Sequence, residues 1–425
     1  MLTKNYTRQI EKRQRIGNHT LVIGMDIGKE FNAGCLMDKE GRVLGKYPRI
    51  YNSRKGFDYF RAVVNEAMRE HGFTDVLIGM EPTGHYWRKI AFFAQGMGHE
   101  VRFVRTTALK HQREIDESSP AKTDMRDAFT IANIVREGKY IDTVIEDGIF
   151  RQLRTLSHAR ERIIRHTTGS IHLLKAVLDD YFPELAGIFP YMKSRGLWSL
   201  LKAYPFPEDV LRAGLPVITS LLAKSMRRRT WAYDRAERVY RAAEESVGLK
   251  AVSSTDRVKL AVCLEEVMGS EERLKEMDRQ IAGLLALIPL ARYILSIPGI
   301  GNVTCGVFLG ELGNPGHFRE PRRIVKYAGY DPKENDSGLR TGRKIISKKG
   351  RWLLRKCLYF MALQVVHNSL FFKGYYEKKQ RGAQRPLEKK EALCAVVIKL
   401  IRVIFALVRD GRMFTEETSR CARAA

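Results

Sequence analysis

The chain has 425 residues, enough for two or three domains, and 44% of them are hydrophobic, which fills ordinary cores and argues against wholesale disorder. Lys and Arg number 74 against 48 Asp and Glu, a formal net charge of +26. So large an excess opposes compaction unless a polyanion neutralises it, and nucleic acid is the obvious one, a ribosome-associated or merely basic protein being the plainer alternative. The six cysteines form no C-x-x-C pair, which suits a reducing cytosol and neither a disulfide framework nor a zinc site. The N-terminus lacks the apolar core of a signal peptide, and charges or prolines interrupt both long apolar stretches, so a soluble protein without membrane association is expected.

In chain order, residues 1–20 form a basic arm. Leu21–Gly28 (LVIGMDIG) reads as an apolar strand ending on Asp26 and Gly28, followed by strands in FNAGCLMD and RVLGKYPRIY. A helix is predicted over Lys55–His71, with Phe57, Phe60, Val63, Val64 and Ala67 on one stripe. DVLIGME is a buried strand ending on Glu81, followed by a helix over Trp87–Gln95, a strand in HEVRFVRTT and a further helix. Three strands, helix, strand, helix, strand, helix is the element order of an RNase H-like α/β domain, assigned to residues 21–149. Residues 150–287 read as a helical, coiled-coil region with an insertion: about 150–189 as one long amphipathic helix, and about 190–285 as further helices forming a spacer or dimerising coiled coil with solvated charges. Residues 288–411 form a mainly α C-terminal domain, and 412–425 a frayed polar tail.

Two distant acids, Asp26 and Glu81, converge if their strands lie side by side. Asp124 and Asp127, three apart in KTDMRDAFTIANIV, share one face of a helix that Thr123 caps. Carboxylates crowded into one cleft need cations, because two unit charges ~4 Å apart repel by roughly 4 kcal/mol at an effective dielectric near 20. All-oxygen ligation selects Mg2+ or Mn2+ over zinc, and two such ions clamp a phosphodiester. A strand-end Asp followed by Gly also opens the phosphate loop of actin-like folds, but no second matching loop appears.

LSIPGIGNVTCGVFLGEL (Leu295–Leu312) has the form of a helix-hairpin-helix, in which Gly299 and Gly301 permit a tight turn with backbone amides free for phosphate; an ordinary helical hairpin is the alternative. The basic stretch beyond it supplies Arg322, Arg323, Lys326, Arg340, Arg343, Lys344, Lys348, Lys349 and Arg351, with Tyr327, Tyr330 and Trp352 interleaved as stacking surfaces. Within it Ser337 sits in a polar DSG loop, where composition alone favours a turn-former over a nucleophile.

GMDIGK around Asp26, MEPTGHYW around Glu81, KTDMRDA, the IPGIG hairpin and YAGYDP…DSG…ISKKG…LR together resemble the DEDD-type insertion-sequence transposases, relatives of the Piv DNA invertases. The resemblance implies a RuvC-like N-terminal domain that holds divalent metal on Asp26, Glu81, Asp124 and Asp127. It also implies a C-terminal transposase domain whose serine, here Ser337, attacks DNA; Ser347 lies ten residues on, and the G-Y-D-P…S-G frame selects Ser337. Further implications are donor and target double-stranded DNA, a structured noncoding bridge RNA as guide, homodimers that pair into homotetramers with composite sites, and a bacterial cytoplasmic, nucleoid-associated location. A Piv-like invertase without guide RNA, a RuvC-like Holliday-junction nuclease and a non-enzymatic nucleic-acid binder are the competing readings.

Overall fold

A computed structural model describes residues 2–82, 84–116, 123–141, 148–225, 230–250, 252–333, 345–382 and 386–416. The chain divides into two compact units, Met1–Ile145 and Glu146–Ala425. The first is a mixed α/β fold and the second is almost wholly helical.

The N-terminal unit begins with helix α1 (Leu2–Gln14), followed by β1 (Thr20–Ile27), β2 (Phe31–Met37), β3 (Arg49–Tyr51), α2 (Arg54–His71), β4 (Asp75–Met80), α3 (Trp87–Gly96), β5 (Glu100–Phe103), α4 (Thr106–Asp116) and α5 (Asp124–Arg136). From β1 onward this is the strand and helix order expected from the sequence, with α4 and α5 both following β5. The strands form one sheet in the order β3-β2-β1-β4-β5, with β1–β2 and β2–β3 antiparallel and β1–β4 and β4–β5 parallel. This arrangement is consistent with an RNase H-like start. The third strand is shorter than RVLGKYPRIY suggests: only Arg49–Tyr51 joins the ladder, and Val43 makes an isolated bridge to Met37.

Strand alternation divides the core in two. Leu21, Ile23 and Met25 of β1, with Val76, Ile78 and Met80 of β4, pack with Phe60, Val64, Ile90 and Ala94 of α2 and α3. Val22 and Leu77 face the other way, against Ala128, Ile131, Ala132 and Val135 of α5. Gly24 and Gly79, paired across β1 and β4, lie on this second face. A Cβ on Gly24 would sit 2.0 Å from the Ala128 carbonyl oxygen, and one on Gly79 would sit 2.2 Å from Val135 Cγ2. The glycine pair is thus the seat into which α5 sinks. The same alternation puts Asp26 and Glu81, each two residues past its glycine, at the sheet edge on the α5 side.

The basic arm is corrected in one respect: most of it is helix, and α1 is docked. Gln9 and Lys12 donate to the carbonyls of Glu137 and Tyr140 at 3.2 and 2.7 Å, and Gly138, at φ +71°, admits the α1 backbone where a Cβ would meet Gln9 O at 2.8 Å.

The second unit comprises α6 (Gly148–Tyr181), α7 (Leu185–Ile188), α8 (Arg195–Ala203), α9 (Pro207–Ala213), α10 (Leu215–Ser225), α11 (Thr230–Glu244), α12 (Ser254–Ala286), α13 (Ala291–Leu295), α14 (Asn302–Leu312), α15 (Pro321–Ala328), β6 (Pro332–Lys333), β7 (Ile345–Ile346), α16 (Trp352–Asn368), α17 (Leu370–Arg381) and α18 (Lys389–Asp410). Helices α6 and α12 pack antiparallel along their lengths, with an Arg160–Asp278 ion pair at 2.6 Å and a Ser170–Glu266 hydrogen bond at 2.8 Å marking the register. Residues 190–285 are therefore not a solvated spacer. Leu197, Leu200, Phe206, Val210, Ile218, Leu222, Ala236 and Val239 join Leu174, Leu178, Leu260 and Leu264 in a separate core. A larger core joins the opposite end of the α6–α12 pair to α13–α16 and α18.

The tail is corrected as well: Phe414 stacks on Phe372, and Glu416 accepts from Ser369 Oγ at 2.8 Å and Phe371 N at 2.9 Å, so residues 412–416 are packed. No helix among the described residues is long and apolar enough to cross a membrane.

The glycine seat yields a test. Gly24→Ala forces backbone against backbone, an overpacking that costs about 1–3 kcal/mol or more. Thermal denaturation of the variant should show a clearly lowered Tm, whereas Gly96→Ala, at an ordinary helical φ and with nothing within 4 Å of its Cβ, serves as the control.

Candidate active site

The four acids predicted to converge line one cavity of about 410 Å³, with Asp26, Glu81, Asp124 and Asp127 joined by Ile27, Gly28, Phe31, Ala33, Thr106 and Arg113. Asp26 lies near the end of β1 and Glu81 immediately follows β4. Asp124 and Asp127 occupy the first turn of α5, where the helix dipole favours negative charge. Thr123 caps that turn, its Oγ1 accepting from Arg126 N at 3.3 Å. Asp124 is exposed, but the Asp127 side chain is only 3% exposed.

A buried carboxylate is costly unless a cation or donors compensate it. Asp127 meets that requirement through Arg113, on α4, whose Nη2 lies 2.5 Å from Asp127 Oδ2. Arg113 is not legible in the sequence, because a lone Arg in TTALKHQREID carries no motif. The donor set is four carboxylates, the all-oxygen chemistry that suits a hard divalent cation. Among the described residues no three acidic, His or Cys side chains are drawn together as ligands of one ion. Burial pushes the Cys35 thiol up to about 11 and the Cys305 thiol up to about 12, which leaves both inert.

In the second unit the IPGIG turn joins α13 to α14. Gly299, exposed and at φ +90°, lies where a Cβ would meet the Gln364 carbonyl oxygen at 2.7 Å; Gly301, also exposed, precedes α14. Beyond it Arg322, Lys326, Lys348 and Lys349 are exposed, and Arg323 pairs with Glu320 at 3.7 Å. Arg351 has a different role from the one expected: its Nη1 donates to the Glu311 carbonyl at 2.5 Å and its guanidinium lies 5.0 Å from the centroid of the Tyr327 ring. Tyr330 is no stacking surface either, being 1% exposed with its hydroxyl donating to Arg355 O at 3.0 Å. Trp352 is accessible, with the Arg165 guanidinium 4.4 Å from its ring centroid.

Ser337, Arg340, Arg343 and Lys344 lie outside the described residues. The strands flanking the Ser337 segment, β6 and β7, pair antiparallel. Ser347 is tied into this stem: it is buried, its Oγ donates to Asp331 Oδ1 at 2.5 Å and its N donates to Asp331 O at 2.8 Å.

A family model for DEDD transposases, described as "Transposase", matches residues 23–183, and a second, "Transposase IS116/IS110/IS902 family", matches 291–377. The first match takes in all four pocket acids and the second takes in the turn at Gly299, the basic surface and Ser337. The chain belongs to this transposase family. Transposases of this family cut and rejoin DNA. The chain is 28% identical to the protein of insertion element IS116 from Streptomyces clavuligerus, over 92% of this chain and 96% of the relative. It is 23% identical to the transposase for insertion sequence element IS1111A from Coxiella burnetii, over 97% and 94%. The pilin gene-inverting protein of Moraxella lacunata is 25% identical, over 41% of this chain and 52% of that protein.

A buried ion cluster anchors the basic surface. Glu311 of α14 is 1% exposed and contacts His158 Nε2 at 2.7 Å and Arg154 Nε at 3.4 Å. Burial alone would raise its carboxyl, but the His158 hydrogen bond and the Arg154 and Arg351 charges hold it below its ordinary 4.5. A depressed carboxyl contributes stability that is present above 4.5 and is lost as pH falls through the lower folded value. Glu311→Gln should therefore cost about 1–3 kcal/mol at neutral pH, the range for losing hydrogen bonds to a charged group, because the cations it leaves behind reach solvent. Chemical denaturation should show that deficit at pH 7 and a smaller one at pH 3.

Proposed function

We propose that the protein is the transposase of a mobile DNA element, cutting donor and target duplexes with divalent metal at Asp26, Glu81, Asp124 and Asp127 and with Ser337 as nucleophile. The observation that carries this reading is the shared cavity: residues up to 101 positions apart, from two parallel strand ends and one helix start, line one pocket inside the DEDD match. Mg2+ or Mn2+ held there would polarise the scissile phosphate and stabilise the leaving oxygen. The chain's residues supply the rest. Asp26 and Glu81 approach from the sheet edge, and Asp124 and Asp127 from the first turn of α5. The Ser337 oxygen forms an ester bond to phosphorus as the bond from phosphorus to the leaving sugar oxygen breaks, conserving the phosphodiester energy for rejoining. The burial of Ser347 in the β6–β7 stem supports Ser337 as the reacting hydroxyl.

Exposed Arg322, Lys326, Lys348 and Lys349 form the backbone-contacting surface in this reading, where charge and not base readout provides the binding, and the turn at Gly299 and Gly301 offers further backbone amides. Arg323, Arg340, Arg343 and Lys344 are further candidate nucleic-acid contacts in this reading. In this reading a structured bridge RNA pairs with both DNAs and supplies the sequence choice, and homodimers pair into a homotetramer in which the acids and the serine come from different subunits. The likeness to the pilin gene-inverting protein supports a second reading, site-specific inversion without guide RNA.

Strand-joining assays on oligonucleotide duplexes test the chemistry. Asp26→Ala and Ser337→Ala should each reduce joining by at least about 10³-fold, as expected when a member of a catalytic set is removed. A protein–DNA adduct on denaturing gels should vanish in Ser337→Ala; full joining by either variant would remove that residue from the mechanism. Sequencing of RNA that copurifies with the protein separates the two readings: one defined species favours the guided transposase, and none favours inversion.

A further inference from the structure

The acid pocket carries its own cation. Asp127 is nearly sealed from solvent, and its ion-pair partner Arg113 reaches it from α4, an element outside the strands and helix that supply the acids. Arg113 lines the same cavity as all four carboxylates. Its guanidinium is not the finished fork of a structural arginine. Its Nε is buried and finds no hydrogen-bond partner among the described residues, although such a group usually has one, and its side chain is 31% exposed. A cation seated in a tetra-acidic cavity on an incomplete set of bonds occupies the electrostatic position that a divalent ion takes.

We propose that Arg113 is a resident counter-cation that holds Asp127 in the pocket and is exchanged for divalent metal when the site loads. The inference rests on the reading of this pocket as a divalent-cation site. Two positive groups cannot both be seated against Asp127 without repulsion, so metal entry moves the guanidinium off the carboxylate. The displaced side chain stays tethered on α4 beside the cavity, a positive group next to the incoming DNA phosphate. Arg113 is thus a positioning residue that acts through Asp127: it keeps the first turn of α5 in register with the ends of β1 and β4 when no metal is bound.

The experiment uses the full chain, without DNA, as wild type, Arg113→Gln, Arg113→Lys and Asp127→Asn. Thermal melts are recorded in EDTA and in Mg2+, and Mn2+ binding is measured by electron paramagnetic resonance. Arg113→Gln should melt several degrees below wild type in EDTA, and Mg2+ should close most of that gap. Its Mn2+ affinity should exceed that of wild type by on the order of tenfold, which corresponds to relief from a competing ion pair of about 1.4 kcal/mol. Arg113→Lys, which keeps the charge, should fall between the two. An Arg113→Gln chain that folds only when Mg2+ is present is the same result in stronger form; one that folds in neither condition overturns the proposal. If wild type binds Mn2+ and Asp127→Asn does not, yet Arg113→Gln binds no more tightly than wild type, the metal reading stands and the exchange is wrong. If wild type binds no Mn2+, both fall.

Discussion

The close approach of α5 to the sheet is the constraint on which the acid pocket depends. Helices ordinarily keep about 10 Å from a packed neighbour because side chains separate the backbones. Here the paired Gly24 and Gly79 remove that spacer, and the Ala128 carbonyl occupies the space a Cβ on Gly24 would need. Only at that depth does the first turn of α5 stand beside the ends of β1 and β4. The period of the strands then decides which side chains it meets, since Asp26 and Glu81 follow their glycines by two residues.

Electrostatics opposes this packing. Four carboxylates around one cavity repel, and Asp127 is also buried, so some cation is needed whether or not metal is present. The pairing with Arg113 gives the metal-free protein a way to tolerate the arrangement. Elsewhere the same rule applies to a structural end. Glu311 is compensated by His158 and Arg154, with the Arg351 charge nearby, which fixes α14 against α6 and the start of α16. Positive charge along the chain is thus divided: some of it, at Arg322, Lys326, Lys348 and Lys349, faces solvent, and some neutralises acids that the fold itself has buried.

Much of the N-terminal unit was legible because its signals are periodic and local. Alternation marks β1 and β4, the apolar stripe marks α2, and Thr123 with the D-x-x-D spacing marks the start of α5. Arg113 left no such trace, since its significance comes only from the tertiary position of α4. Gly24 and Gly79 were visible as glycines, but their pairing across strands depends on register, which the sequence does not state. Tyr330 and Arg351 were placed on a binding surface because composition cannot tell a basic or aromatic residue that faces solvent from one that closes a core. The middle helices were expected to be solvated because short amphipathic segments with dense charge look alike whether or not they share a core; Phe206, Ile218 and Leu222 find theirs only when α8–α11 fold back onto α6 and α12.

Anomalous diffraction from crystals soaked in Mn2+ tests most directly whether the four acids make a metal centre. The account predicts manganese density inside the cavity bounded by Asp26, Glu81, Asp124 and Asp127, with carboxylate oxygens within roughly 2.0–2.6 Å, as hard cations require. Manganese bound elsewhere on the protein at saturating concentration, with none in that cavity, would contradict it.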